Sequence, residues 1–249
     1  MTDFIDSFDS LLGAFPKTRP PLSPAQRAIA LEAQRVNREG RNPATAASQR
    51  LEQWMHRRVA ARRGGDVLEI GAGTLNHLRF EQGVSAYDAI EPEDRLYRGS
   101  GEREKIRDVY TDISEVPRDR RYDRIISIAV LEHLTDLPVC FARSALLLNE
   151  GGLFQAGIPS EGGLLWALAW RLTTGLAFRL RTGLDYGERM RHEHVNTAGE
   201  VIALARFFFE RVAIRRFPLP LFHLSFYHYL EAEDPRRERA LDYLRRRSL

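Results

Sequence analysis

The chain has 249 residues, 43% of them hydrophobic and 10% aromatic, which excludes a disordered or low-complexity protein. Lys and Arg number 37 against 34 acidic residues, and a net charge of +3 is too small to dictate a partner. The one cysteine, Cys140, excludes an internal disulfide and an all-cysteine metal site, and it fits a reducing compartment.

The length suits one large α/β domain, with an N-terminal extension over 1–63 and the main domain over 64–249. The start, MTDFIDSFDS, is acidic and lacks the apolar run of a secretory signal, so a soluble, cytoplasmic chain is expected. Residues 1 to about 23 read as an irregular arm ending in KTRPPLSP. Ser23 before Pro24 is an N-cap followed by proline at the first helical position, predicting a helix to about Arg38. A second helix is expected from about Pro43 to Arg63, with Leu51, Trp54, Met55 and Val59 on one side, stopped by Gly64-Gly65.

From Asp66 the period changes. VLEIGA, YDAIEP, RDVYT, YDRIISIAV and GLFQAGIP are short β-branched runs separated by helices or connectors, among them LPVCFARSALLLNEGG. Strands alternating with helices predict a parallel sheet covered on both faces. Residues 160–193 form a substrate-side insertion. TAGE from Thr197 is a capping box, RVAIRRF and SFYHYLEA read as an antiparallel pair, and DPRRERALDYLRRRSL as a charged, solvated helix.

The segment DVLEIGAGTLNHL carries the cofactor signal. A buried strand runs into Gly71-Ala72-Gly73, where glycines allow a tight turn and close approach of a ligand, and a following helix N-terminus is expected to aim its free N–H groups at it. Glu91 ends the second strand, where an acid accepts hydrogen bonds from both ribose hydroxyls of an adenosine. A dinucleotide site wants a third glycine where Asn76 stands, and Glu69 would repel a pyrophosphate but suits a ligand carrying an ammonium and a sulfonium.

Here the chain resembles the class I S-adenosylmethionine-dependent methyltransferases. Their acidic-x-Gly-x-Gly motif is matched by Glu69, Gly71 and Gly73, their second-strand acid by Glu91, and their adenine-contacting acid by Asp112, followed by Ile113, in YTDISEVP. YDRIISIAVLEHLTDLP resembles their fourth-strand region and NEGGLFQAGIP their turn into the fifth strand. The likeness covers about Val67 to Pro159 well and the final helix and hairpin more loosely, and it departs from the family at Leu75-Asn76-His77. It implies a Rossmann-like, mostly parallel sheet of seven strands with one antiparallel, and S-adenosylmethionine as cofactor. Glu69, Gly71, Ala72, Gly73, Glu91, Asp112 and Ile113 are then the expected cofactor contacts.

Methyl transfer from a sulfonium is an in-line displacement in which positioning supplies most of the effect, and a hydroxyl acceptor also needs a base. The candidates are His133 in LEHL, with Glu132 beside it, His194 in RHEHVN, and Glu161 in IPSEGG. Similar methyltransferases carry LEH or LHH after the fourth strand, and a histidine shortly before their final core helix. Each candidate also has a structural reading: His133 as a turn cap, His194 as helix-entry packing, Glu161 as a loop carboxylate paired with arginine. His192 and His194, two apart, would share one side of an extended segment, but no third ligand is near and no metal is expected. Asp123 reads as structural.

The insertion presents Leu164, Leu165, Trp166, Leu168, Ala169, Trp170, Leu172, Leu176 and Phe178, interleaved with Arg171, Arg179 and Arg181. It reads either as a lid packed on the N-terminal helices or, over 162–181, as an interfacial helix touching the inner face of a membrane. Broken by Arg171 and Thr173-Thr174, it does not read as a transmembrane span. The leading expectation is methyl transfer to a small-molecule hydroxyl, such as a sugar or lipid-linked sugar of a bacterial cell-surface polysaccharide pathway, with no DNA partner. The alternatives are an RNA or other nucleic-acid methyltransferase, counted against by the missing Asn/Asp-Pro-Pro-aromatic tetrad, and a cofactor-binding scaffold without transfer. Acceptor identity and oligomeric state are not encoded legibly.

Overall fold

The computed structural model describes residues 2–29 and 46–248. The β-branched runs become β1 (Gly65–Ile70), β2 (Val84–Ile90), β3 (Val109–Tyr110), β4 (Tyr122–Ile128), β5 (Leu148–Pro159), β6 (Phe209–Pro218) and β7 (Ser225–Pro235). They form one sheet in the order β3-β2-β1-β4-β5-β7-β6, with β7 alone antiparallel to its neighbours. The chain runs outward from β1 to β3 and then returns to β4 on the other side of β1. The loops after β1 and β4 therefore diverge at the carboxyl edge, where ligands of such sheets bind.

The helices that join these strands are α1 (Thr2–Gly13), α2 (Ala46–Val59), α3 (Asp94–Tyr97), α4 (Leu137–Leu147), α5 (Leu164–Trp170), α6 (Leu176–Thr182), α7 (Tyr186–Glu193), α8 (Ala198–Phe208) and α9 (Arg237–Arg246). Residues 24–29 are helical too, and the rest of the two expected N-terminal helices over 30–45 lies outside the described residues. On one face α4, α8 and α9 bury Phe141, Phe208, Ala240 and Leu244 against Leu68, Ile70, Ile125 and Phe154. On the other, α2 lays Met55 and Val59 on the sheet, so close that a Cβ at Gly157 would sit 2.7 Å from Met55 Cβ. Strands buried on both faces read as continuous apolar runs, which is why β4 and β5 stand out in the sequence.

Four local expectations are corrected. The N-terminal arm is helical over Thr2–Gly13 before becoming irregular: Leu11 and Leu12 pack on the main core and Phe8 lies 5.2 Å from Phe207. Apolar residues at spacings of three and four carry that helix, although the acidic residues between them disguise it. No helix follows the glycine loop; turns lead to a single 3-10 turn, Leu78–Phe80. The helix expected over LPVCFARSALLLNEGG, closing on Gly151-Gly152, ends sooner, since α4 passes into β5 at Leu148. The terminal helix α9 is not solvated all round, since Ala240, Tyr243 and Leu244 are buried.

Beneath α2 the sheet carries a buried polar row. Arg124 on β4, its side chain 5% exposed, donates to both oxygens of Glu81 at 2.7 and 2.8 Å, to Gln155 and to the Val59 carbonyl. His77 Nε2 donates to Glu81 and its Nδ1 meets His56 Nδ1 at 3.0 Å. Burial of Glu81 opposes its ionisation, but His77 and Arg124 hold its carboxyl below the usual range. A buried pair is costly to break because the surviving charge stays unsolvated. Arg124→Met should lower stability by about 3–5 kcal/mol in urea unfolding followed by circular dichroism. A loss below about 1 kcal/mol would mean that the pair behaves as an exposed one.

Candidate active site

The loop after β1 is tied to the end of β2. The N–H groups of Gly71 and Ala72 donate to the Ile90 carbonyl, and Gly73 N–H donates to Glu91 Oε2 at 2.8 Å. Glu91 Oε1 accepts from Glu93 N–H at 2.9 Å, so the 7%-exposed carboxylate is fixed at the strand's carboxyl edge. Gly71 has φ +74°, and a Cβ there would meet Val130 Cγ2 at 2.4 Å. Gly73 has φ +52° and open space where a Cβ would project. Leu75, standing where the resembled family has a third glycine, holds φ +63° with its side chain wholly buried. A left-handed conformation costs a non-glycine residue roughly 1–2 kcal/mol, offset here by burying the leucine. Of the departure at Leu75-Asn76-His77, Leu75 and His77 are absorbed by the core, while Asn76 stays exposed.

One strand further out, Asp112 stays exposed at the end of β3 and accepts from Ser114 N–H at 2.8 Å, while Ile113 is buried beside it. Glu69 differs from its sequence reading. It is 3% exposed, accepts from Tyr87 Oη–H at 2.7 Å, and burial pushes its pKa up to about 8 against that bond. It shares a sheet face with Val67 beneath α2, so the expected free anion facing the ligand is instead a buried acid tied to β2, its ionisation opposed by burial.

The second group lies at the ends of β4 and β5. His133 Nδ1 meets the Glu193 carbonyl at 2.8 Å; a carbonyl only accepts, so Nδ1 carries the proton and Nε2 keeps its lone pair. Burial pushes the His133 pKa down, against the Glu193 bond. The His194 ring stands edge-on to His133 with centroids 4.7 Å apart, and its Nδ1 donates to Glu161 Oε1. Trp166 Nε1–H donates to the same oxygen at 2.6 Å. Burial works to lower the His194 pKa, but the Glu161 bond and the charges of Glu161, Glu132 and Glu193 raise it above the usual imidazole value. Glu132 is 3% exposed, burial pushes its pKa up to about 7, and its Oε2 has no protein partner. The structure thus brings His133, His194 and Glu161 together. Glu161 pairs with His194 and Trp166 rather than with an arginine.

His192 and His194 do not share a side. His192 lies in α7 and its Nδ1 donates to the Pro20 carbonyl, whereas His194 caps the helix. Asp123 is structural as read, accepting from Asp66 N–H and Asn149 Nδ2.

Sequence reasoning missed the groups that hold this cluster. Asn196, 1% exposed, donates to the Leu131 and Leu134 carbonyls, and its N–H donates to the Glu132 carbonyl. The arm crosses the same edge: Arg19 donates to the His133 and His192 carbonyls, and Lys17 to the Val195 carbonyl and Glu200. Contacts between residues more than sixty apart leave no local signal. Tyr227, paired with Pro159 and 5.9 Å from Trp166, had the only available one, an aromatic in a strand beside β5.

The glycine cradle and the fixed acid beside it suit an adenosine, and the open space at Gly73 is room that any side chain would take. A methyltransferase-domain family model matches residues 44–196, more than half of the chain. The fold is similar to that of the N-methyltransferase NodS from Bradyrhizobium japonicum WM9, solved with S-adenosyl-L-homocysteine, with TM-score 0.55 and 16% identity over 81% of this chain and 97% of that one. It is similar to an O-methyltransferase family protein from Burkholderia thailandensis, with TM-score 0.55 and 14% identity over 93% of this chain and 68% of that one. A possible histamine N-methyltransferase from Thermotoga maritima gives TM-score 0.53 and 13% identity over 84% and 97%. No curated protein matches the sequence. The chain belongs to the methyltransferase-domain family and is a class I S-adenosylmethionine-dependent methyltransferase.

Proposed function

We propose that this methyltransferase acts on a hydroxyl of a small molecule, with His194 as general base and Glu161 as the residue that positions it. The observation that carries the reading is the bond from His194 Nδ1 to Glu161, which fixes the tautomer and leaves Nε2 with a free lone pair. A carboxylate behind the imidazole also stabilises the imidazolium that forms when the hydroxyl proton is taken up. Trp166 holds the carboxylate oxygen in place. His133, whose protonation burial opposes, is a second acceptor beside it, and the orphaned Glu132 Oε2 is open to a donor from a ligand. Trp166, half-buried and backed by the buried Tyr227, is an aromatic at the same edge, which suits the apolar face of a sugar ring. A glycan hydroxyl is therefore the acceptor class we favour.

For the cofactor, Gly71, Ala72 and Gly73 allow close backbone approach, Glu91 would take the ribose hydroxyls, and Asp112 and Ile113 would border the adenine. When bound, S-adenosylmethionine supplies a methyl group on a sulfonium, open to in-line displacement. The residues of this chain hold, orient and deprotonate; a methyl acceptor held in line needs little else.

Glu91→Ala should weaken S-adenosylhomocysteine binding at least tenfold, about 1.4 kcal/mol, in calorimetric titration, with NAD as a non-binding control. Equal affinity in the variant would remove Glu91 from the cofactor site.

The two histidines can be read by NMR titration without an acceptor. His194 should titrate above about 6.5 and His133 below it. Glu161→Gln removes the interaction that outweighs burial, so the His194 value should fall while His133 moves little. A His194 that titrates low in the unaltered chain would sink the dyad.

A panel of sugar, lipid-linked sugar, phenol and amine acceptors, followed by S-adenosylhomocysteine release, tests the reaction itself. With a hydroxyl acceptor the rate should rise with pH through the raised His194 pKa, because only the unprotonated ring accepts the proton. His194→Ala should lower turnover about 10²–10⁴-fold and leave cofactor affinity unchanged. Exclusive methylation of amines, with no such loss in the variant, would overturn the hydroxyl reading.

A further inference from the structure

The insertion between Glu161 and α7 has two faces. Inward, Trp166 packs on Tyr227, while Trp170 and Phe178 pack on Tyr186. Outward, Leu164, Leu168, Leu172, Leu176 and Leu180 project at intervals of four, and each is 45–80% exposed. Four-residue spacing overshoots the 3.6 residues of an α-helical turn, so such a stripe would wind around a regular helix. The chain instead makes a π turn over Arg171–Gly175, midway along, which takes up one extra residue and returns the later leucines toward the same side. Gly163, at the start of α5, lies against the Phe222 carbonyl, bringing the loop after β6 alongside, and that loop exposes Leu219, Leu221 and Leu224.

Eight exposed leucines on neighbouring segments form an apolar surface of the kind that marks an interaction site. The charge around them has one sign. Arg171, Arg179 and Arg181 are exposed and residues 162–184 contain no acidic side chain. Arg171 lies 4.6 Å over the Trp170 ring and Arg181 6.0 Å from that of Phe178, so both guanidinium groups rest on aromatic faces. Among the described residues no helix is long and apolar enough to cross a membrane.

We propose that this face, α5 to α6 with the loop 219–224, docks on the surface of an anionic lipid bilayer. The leucines would enter the acyl boundary and the arginines would meet lipid phosphates, the division of labour of an interfacial amphipathic helix. A second copy of the chain fits less well. A two-fold interface sets the same patch against itself, so three arginines would face three arginines with no acid in the segment to pair them. Because α5 begins directly after Glu161, docking brings the bilayer to the edge holding His194. Resting on the hydroxyl reading above, this names the acceptor class as a hydroxyl borne on a lipid.

Vesicle flotation of the full chain tests the surface, with S-adenosylhomocysteine affinity measured on every sample to show that it is folded and competent. The chain should float with phosphatidylcholine–phosphatidylglycerol vesicles and much less with phosphatidylcholine alone. Leu172→Glu with Leu180→Glu, both at exposed positions, should abolish flotation and leave cofactor affinity intact. Changing Arg171, Arg179 and Arg181 to Gln should reduce it about tenfold or more. Failure of the competent chain to float, or flotation that survives both sets of changes, overturns the proposal. So does a dimer in sedimentation velocity that the leucine changes dissociate. Loss of cofactor binding in the unaltered chain would count against the functional reading instead, whatever the flotation result.

Discussion

The absence of a side chain at Gly71 sets the distance between the two halves of the site. With φ +74° and Val130 pressed where a Cβ would be, the loop after β1 and the loop after β4 touch through this residue. The first loop reaches outward to Glu91 through Gly73 N–H, and the second runs inward through Ala129, itself at φ +54°, to Glu132 and His133. Any larger residue at 71 would wedge the acid that suits a ribose away from the histidines that suit an acceptor. Methyl transfer depends on alignment, so a contact between backbone and valine bears on the chemistry as directly as the ionisable groups do.

Behind that contact the sheet is made rigid by polar groups rather than by apolar packing alone. Tyr87 bonds Glu69 across β2 and β1, and Arg124 joins β4 to β5 through Gln155, whose Nε2 reaches Tyr229 on β7. Glu81 and His77 extend the network into the segment after the glycine loop, where the expected helix is missing. The two observations explain each other. Without a helix to bury that segment's backbone, buried side-chain bonds secure it, and they specify a unique arrangement that an all-apolar filling would not. The cost is that a buried carboxylate depends on each of its partners.

The strands were legible because a sheet covered on both faces writes long apolar runs, and the carboxyl-edge acids Glu91 and Asp112 fall where those runs stop. His133 and Glu161 were legible as neighbours of strand ends, and their meeting follows from β4 and β5 being adjacent in register, whereas His194 was legible from its place shortly before the helix at Thr197. What sequence concealed was direction and state. Glu69 alternates onto the face under α2, and a one-residue difference in facing separates a ligand contact from a framework acid. The pairing of His192 with His194 assumed an extended chain, whereas Asp185 caps a helix that turns them apart. The arm was read as irregular because its acidic residues mask its apolar positions, and its reach to His133 through Arg19 joins residues 114 apart.

The contrast between the two histidines gives the site its chemical polarity. The rings are 4.7 Å apart and share a buried surround, so burial alone would push both toward neutrality. Their partners differ: a backbone carbonyl holds His133, and a carboxylate holds His194. A carbonyl dipole orients a ring without balancing a full charge, whereas a carboxylate does both. A proton entering the pair therefore settles on His194, and a neutral His133 beside it can accept a hydrogen bond without competing for the proton. Glu132, its pKa raised to about 7, adds a group whose charge can follow the same pH range. Four ionisable groups so close together, His133, His194, Glu161 and Glu132, would repel or pair at random if solvated. Asn196, Trp166 and the Glu193 carbonyl fix their different partners, which is the arrangement that the proposed reaction requires of His194 as base and Glu161 as its positioning residue.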